Sequence, residues 1–295
     1  GDIGGGGEAQ FDQHRTKGGH ALVPGTGYLE LARAAADAFG HHRALEIRNL
    51  FFFRPLAVED GEAKEMQIRL HREVEGYEME VRSKRQVDGV DGWELHAQAS
   101  LLLGGLSAPE DLDLSAIEAR MTGESVETPE GSAGDQSQNL AFGDRWFNLR
   151  EIRYGDGEAI ARLELPPAHA GEVDDYGLDP ALLDIATGFA MRLIEGYDPS
   201  RLWVPVSYDR VRVHRPMPSA VRSWVVNAGD NRQDRDVASF DVIIADEEGR
   251  VSVEITGFTI KRIDGSVDFA VTSTPSRGEF EPERTARGQL SPAEE

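Results

Sequence analysis

The run FDQHRTKGGHALVPGTGYLELARAAADAF, residues 11–39, decides how the rest of the chain reads. It opens with His14 in a polar, glycine-bearing loop, turns at Pro24-Gly25 and continues as an apolar helix. Tyr28, Ala32, Ala35 and Phe39 recur at helical spacing. Thr26 is the expected N-cap and Gly40 the expected stop. Beyond the helix the period changes from 3.6 to two. LEIRNLFFF (45–53) is a short apolar run, and Met66, Ile68 and Leu70 alternate with polar residues. Tyr77, Met79 and Val81 do the same, as do Trp93, Leu95, Ala97, Ala99 and Leu101. EDGE (59–62) and VDGVDG (87–92) supply turn chemistry between them. This half is therefore one helix followed by an antiparallel sheet.

The order then recurs. Residues 104–138 are small, acidic and turn-rich, with one short helix near 115–121, and read as a connector. Strand patterns resume at 149–153 and 158–165. Asp179-Pro180 opens a second helix running to about Glu195, with Asp as N-cap and Pro in the first turn. Strands follow at 204–214, 221–228, 237–245 and 251–263. Residues 1–10 read as a flexible leader and 266–295 as a tail or interdomain linker. Two units, 11–103 and 139–265, thus form an internal duplication of roughly 130 residues, closer in architecture than in sequence. Each leaves a sheet edge open, so the two are expected to pair.

Composition narrows the function. The 295 residues carry a formal net charge of -22, the wrong sign for a nucleic-acid or anionic-membrane surface. There is no cysteine, which excludes disulfides and thiolate chemistry. No apolar run approaches the ~20 residues that span a bilayer, and the N-terminal residues do not resemble a signal peptide, so a cytoplasmic chain is expected. GGGG (4–7) lacks the following Lys-Ser of a phosphate loop, and no histidine has metal-ligand spacing to another ligand, so no metal is expected.

Two side chains stand out. Asp184 is the only carboxylate between Asp179 and Glu195, on a helix apolar almost all round. Burial raises a carboxyl pKa, which suits a general acid; the alternative is a cap or a solvent-facing side chain. Gly188, one turn on, signals either close packing or room for a ligand. His14 precedes a helix N-terminus, where backbone N–H groups collect. His20 is its rival. His71, His96 and His214 lie in strand patterns, and His41 and His42 follow a helix end.

Taken together, HALVPGTGYLELARAA and GLDPALLDIATGFA resemble the two active-site motifs of the dehydratase domains of modular, type I polyketide synthases. LAFGDRWFNLREIRYGDGEAIARLELP is similar to the stretch that opens their second half, and WVPVSYDRVRVHRP to the strand after their second helix. The resemblance runs from about residue 12 to 263. It implies an α+β double hotdog: two antiparallel sheets, each wrapped around a long central helix, with the site between halves.

It also implies a role for each matching residue. His14 and Asp184 become the catalytic pair, and Gly19, Pro24, Gly25, Gly27, Phe142, Gly143 and Gly188 become substrate-binding positions. Backbone N–H groups near Gly25 and Gly27 would polarise the thioester carbonyl. The sequence departs from the family pattern at several positions. The loop after His14 is one residue longer, Gly188 stands where many members have Gln or His, and Phe142-Gly143-Asp144 replaces Tyr-Gly-Pro.

The reaction implied is dehydration of a β-hydroxyacyl thioester in polyketide assembly. The substrate rides on the phosphopantetheine arm of an acyl carrier protein, and no other cofactor is needed. A same-fold double-bond isomerase or cyclase is the first alternative, and a catalytically silent scaffold the second. Neighbouring synthase domains and a second copy in a homodimer are the implied partners. An acidic carrier would have to dock on local arginines (Arg150, Arg153, Arg210, Arg212, Arg215) or arrive by covalent tethering.

Overall fold

The computed structural model describes residues 12–38, 40, 44–129, 131–263 and 279–283. The expected leader and most of the expected tail lie outside the described residues.

In the first half, β1 (His14–Thr16) and β2 (Ala21–Leu22) precede α1 (Gly25–Ala38), then β3 (Leu45–Phe52), β4 (Ala57–Val58), β5 (Met66–Arg72), β6 (Tyr77–Val87) and β7 (Val90–Leu103). α2 (Leu114–Arg120) and β8 (Ser125–Glu127) follow, then β9 (Leu140–Phe142), β10 (Leu149–Tyr154) and β11 (Glu158–Glu164). The second half closes with α3 (Pro180–Gly188), β12 (Leu202–Val213), β13 (Ala220–Asn227), β14 (Val237–Ala245) and β15 (Val251–Ile263). A last strand, β16 (Phe280–Pro282), returns to pair with β7.

The long strands form one continuous antiparallel sheet in the order β5-β6-β7-β3-β12-β15-β14-β13-β11-β10-β8. The seam between halves is β3–β12, where Ile47 faces Val211 and Leu50 faces Tyr208. Each half-sheet curls around its own helix because alternate strand residues are apolar and need covering. Leu29, Ala32 and Ala36 of α1 and Ala181, Leu182 and Leu183 of α3 are almost fully buried. The two helices touch each other at their N-terminal ends. Thr26 donates its hydroxyl to the carbonyl of Pro180 at 2.9 Å, and Leu178 N–H donates to Glu30 Oε2 at 2.8 Å. This is the expected double hotdog.

Several local expectations change. Thr26 is not an N-cap: it lies inside α1, and its hydroxyl is spent on the other half. The second helix stops at Gly188, not near Glu195, and gives way to a 3₁₀ turn at Met191–Leu193 closed by i→i+3 bonds. Gly188, a weak helix former, marks that end. The connector contributes more than a link. Its last strand, β8, forms the edge of the large sheet beside β10. Residues 280–282, read as tail, are strand β16; Gly92 has no side chain where Phe280 crosses β7. Of the three phenylalanines at 51–53, Phe52 lines the cavity, while Phe51 and Phe53, the latter just past β3, are exposed.

A second, small sheet in the order β4-β2-β1-β9 places the site. His14 is not in a loop but opens β1, directly opposite Phe142 of β9. That pairing joins the front of the chain to the start of the second half.

Candidate active site

The β1–β2 hairpin fixes the His14 ring. Its Nδ1 lies 3.0 Å from the carbonyl of Leu22, and a carbonyl can only accept, so Nδ1 carries the proton. Nε2 carries the lone pair in the neutral imidazole and faces the other way, 3.9 Å from Asp184 Oδ2. That is too long for a direct hydrogen bond and short enough for both groups to reach one small ligand. Phe142 and Trp146 pack on the imidazole with ring centroids at 5.5 Å each, and stack on one another at 6.2 Å. The His14 side chain is 9% exposed and that of Asp184 25%, with both lining one cavity.

Asp184 projects from α3 into the cavity and is partly buried there. Burial pushes its carboxyl pKa up, opposed by His14 and by a hydrogen bond from Trp146. That bond runs from the indole N–H to Oδ2 at 2.9 Å. Trp146 is held by a short 3₁₀ turn, Asp144–Trp146, that follows β9. Gln13 Oε1 accepts from the Arg145 N–H at 3.0 Å, and Gly143 N–H donates to the Gln13 carbonyl at 2.8 Å. Arg145 reaches Asp179 Oδ2 at 2.7 Å, and Asp179 in turn caps α3 through the N–H groups of Ala181 and Leu182. Asn148 donates to both the Arg145 and Ala181 carbonyls at 3.1 Å. One buried network therefore ties the Trp146 turn to the helix carrying Asp184.

The cavity holds about 610 Å³. It is mostly apolar, lined by Tyr28, Phe52, Leu149, Ile152 and Ile260 among others. Tyr208 also borders it, its phenol pKa raised by burial and by the proximity of Asp184. The former connector supplies a wall through Val126, Thr128 and Ala133.

Of the expected binding positions, Pro24, Gly25, Phe142 and Gly188 line the cavity with the His–Asp pair. Gly19, Gly27 and Gly143 are not among the lining residues. Gly19 is exposed at the β1–β2 turn with φ +95°, a conformation that favours glycine. Gly27 is buried in α1, its N–H already donating to the Pro24 carbonyl at 2.9 Å, so it has no donor to offer a ligand. Gly143 allows the close approach of Gln13 behind the Trp146 turn.

The other histidines separate from this site. His20 lies 3.6 Å from Glu59, His96 bonds Ser83 at 2.7 Å inside the sheet, and His214 meets Glu254 at 2.7 Å. The arginines considered for carrier docking do not gather at the cavity. Arg150 donates to the Phe147 and Glu164 carbonyls, Arg153 pairs with Glu151, Arg212 with Glu46 and Arg215 with Asp246. The cationic residues lining the cavity are Arg54 and Arg192. Among the described residues no cluster of three or more His, Asp or Glu is arranged to hold a metal, and no helix is long and apolar enough to cross a membrane.

Sequence reasoning missed Trp146, Gln13 and the Arg145–Asp179 pair. The one available signal was an indole in a short apolar stretch, since a buried Trp N–H ordinarily finds a partner.

Two hotdog units joined edge to edge, with a histidine from one and a carboxyl from the other in a shared cavity, define a double-hotdog domain with a candidate active site between its halves. Comparison with known proteins agrees. The family model for the polyketide synthase dehydratase N-terminal domain matches residues 119–269, and that for the polyketide synthase dehydratase domain matches 2–84. The chain belongs to the dehydratase domains of polyketide synthases.

Polyketide synthase PksM of Bacillus subtilis (strain 168) is 24% identical over 257 residues, which is 84% of this chain and 6% of that protein. Mycoketide-CoA synthase of Mycobacterium tuberculosis is 28% identical over 208 residues, 70% of this chain and 5% of its own length. The chain thus spans a small fraction of the curated relatives it matches. A trans-AT polyketide synthase dehydratase domain from Brevibacillus brevis superposes with a TM-score of 0.78 at 24% identity, covering 88% of this chain and 91% of that one. Two structures of the CurK dehydratase, solved as inactive His-to-Phe and Asp-to-Asn mutants, each superpose with a TM-score of 0.73. They are 22% and 21% identical, covering 87% and 86% of this chain and 89% and 87% of theirs.

Proposed function

We propose that the domain removes water from a β-hydroxyacyl thioester, giving the α,β-enoyl thioester during polyketide assembly. The observation that carries this reading is the 3.9 Å approach of His14 Nε2 to Asp184 Oδ2 across one apolar cavity. The inactivity of the His and Asp mutants of the CurK dehydratase supports giving both groups a chemical role here.

In this mechanism Nε2 of neutral His14 takes a proton from the carbon next to the thioester carbonyl. The released electron pair forms the new double bond, and the bond to the β-hydroxyl breaks. Asp184, whose carboxyl burial biases toward the protonated form, gives its proton to the departing oxygen, and water leaves. The Trp146 N–H occupies Oδ2, so Oδ1 carries the proton. Returning the proton from His14 to Asp184 through a water resets the pair. Gly25, the first residue of α1, lines the cavity beside Pro24 and presents the start of the helix to the carbonyl as negative charge builds there.

The substrate arrives on the phosphopantetheine arm of an acyl carrier protein. Tethering to neighbouring synthase domains supplies its local concentration, since a net charge of -22 repels an acidic carrier at long range. The test is turnover of a 3-hydroxyacyl thioester by the purified domain and by His14→Ala and Asp184→Ala. Loss of at least a hundredfold in both, with unchanged circular dichroism, is expected. Full activity in either variant refutes the assignment. Turnover of 2-enoyl or ketone substrates without dehydration would make the chemistry isomerisation or cyclisation instead.

A further inference from the structure

Gly188 occupies the last position of α3, one turn beyond Asp184. Glycine inside a helix costs about 1 kcal/mol relative to alanine. Its backbone is not left-handed, and a Cβ built on it meets no atom within 4 Å. Neither conformation nor packing requires a glycine there. What the missing side chain leaves is space, and that space belongs to the cavity shared by His14 and Asp184.

The proposed chemistry gives the cavity a direction. His14 acts on the carbon next to the carbonyl and Asp184 on the carbon after it. The thioester therefore lies toward Gly25, and the carbons beyond the hydroxyl lie toward Gly188. Four residues past Gly188, Arg192 also lines the cavity, as do the polar Thr128 and Gln138. Arg192 is held there by Glu124 at 3.0 Å and Asp135 at 3.4 Å. Its side chain is 43% exposed, so this end of the cavity reaches solvent.

We propose that Gly188 floors a subsite for the part of the acyl chain beyond its hydroxyl-bearing carbon. The subsite takes extended chains, with distal oxygen atoms meeting the Arg192 end. The direction of the chain rests on the dehydratase reading; the space does not.

The test compares pantetheine thioesters of 3-hydroxybutyrate and 3-hydroxyoctanoate with the wild-type domain, Gly188→Ala and Gly188→Leu. Two ratios are read: long-to-short kcat/KM, and long-to-short affinity of the corresponding 2-enoyl thioesters by calorimetry. The wild type should favour the long chain. Gly188→Leu should lower both ratios at least tenfold, the scale of a filled apolar subsite. Gly188→Ala should lower them by about threefold and melt no lower than the wild type. Should Gly188→Leu not fold, the Ala variant decides. Ratios unmoved by substitution overturn the subsite, and so does a Gly188→Ala variant that melts several degrees lower, because the glycine would then be packed. If no domain dehydrates either thioester while the affinity ratio still falls, the dehydratase reading fails and the subsite stands.

Discussion

Trp146 and Asp184 lie 38 residues apart in the chain and share a hydrogen bond of 2.9 Å from the indole N–H to the carboxyl Oδ2. One turn along its own helix Asp184 is followed by Gly188, which has no side chain to orient it. The donor comes instead from a 3₁₀ turn in front of β10. The imidazole and the carboxyl are thus both held from outside their own elements, His14 by the Leu22 carbonyl and Asp184 by Trp146.

Replacing Trp146 by Phe keeps most of the ring packing and removes the donor. A bond to the charged form lowers a carboxyl pKa, so its loss should raise that of Asp184 further. A general acid loses activity as pH rises through its pKa. The basic limb of the kcat profile should therefore move to higher pH, while kcat at neutral pH falls about tenfold as the carboxyl loses its orientation. A basic limb that stays in place or moves to lower pH contradicts the role.

Asp184→Asn should abolish turnover by about 10²–10⁴-fold and yet stabilise the domain at alkaline pH. The folded-state pKa of Asp184 is raised by burial. Its contribution to stability is fully present below the unfolded-state pKa and is lost as pH rises through the folded one. Asparagine carries no such penalty. The melting-temperature advantage of the variant should grow as pH rises above the ordinary carboxyl range of about 4 and level off once the folded-state carboxyl is ionised, by roughly 2–4 °C per kcal/mol. A difference independent of pH contradicts the assigned shift.

Arg145→Met should cost about 3–5 kcal/mol of unfolding free energy, because it strands the fully buried Asp179 carboxylate without its counter-charge. Denaturant titration measures this. A loss below about 1 kcal/mol would mean that the N-cap bonds of Asp179 suffice alone.

Gly143→Ala should cost about 1–3 kcal/mol. The added methyl would fall 2.6 Å from Gln13 Cγ and Oε1 and 2.7 Å from its Cβ; Oε1 can swing away, but Cβ is fixed to the backbone. Since Gln13 also holds the Trp146 turn, kcat should fall more than KM rises. A variant as stable and as active as the wild type would detach this turn from catalysis.

Most long strands were legible because each buries one face, and period-two alternation follows directly from that. β6, β7 and β12 to β15 begin or end within a few residues of where Tyr77, Trp93 or Val251 place them. The short strands were not legible. β1 is three residues long with a mixed burial pattern, and its partner β9 lies in the other half, so nothing local marks His14 as a strand residue. The end of α3 was read too late because the apolar pattern continues past Gly188 to Ile194, although the helical hydrogen bonds do not.

By itself the sequence determined the alternating strands and the apolar character of the helix that carries Asp184, since composition and periodicity are properties of neighbours along the chain; the pairing of His14 with Asp184 as candidates came from the motif resemblance. The tertiary structure alone decided that these two groups meet. It also settled which of the expected glycines face the cavity, and it supplied Trp146 as the carboxyl's partner. Those outcomes depend on pairing β1 with β9 and packing α1 against α3, contacts between residues more than a hundred positions apart, and no local pattern records them.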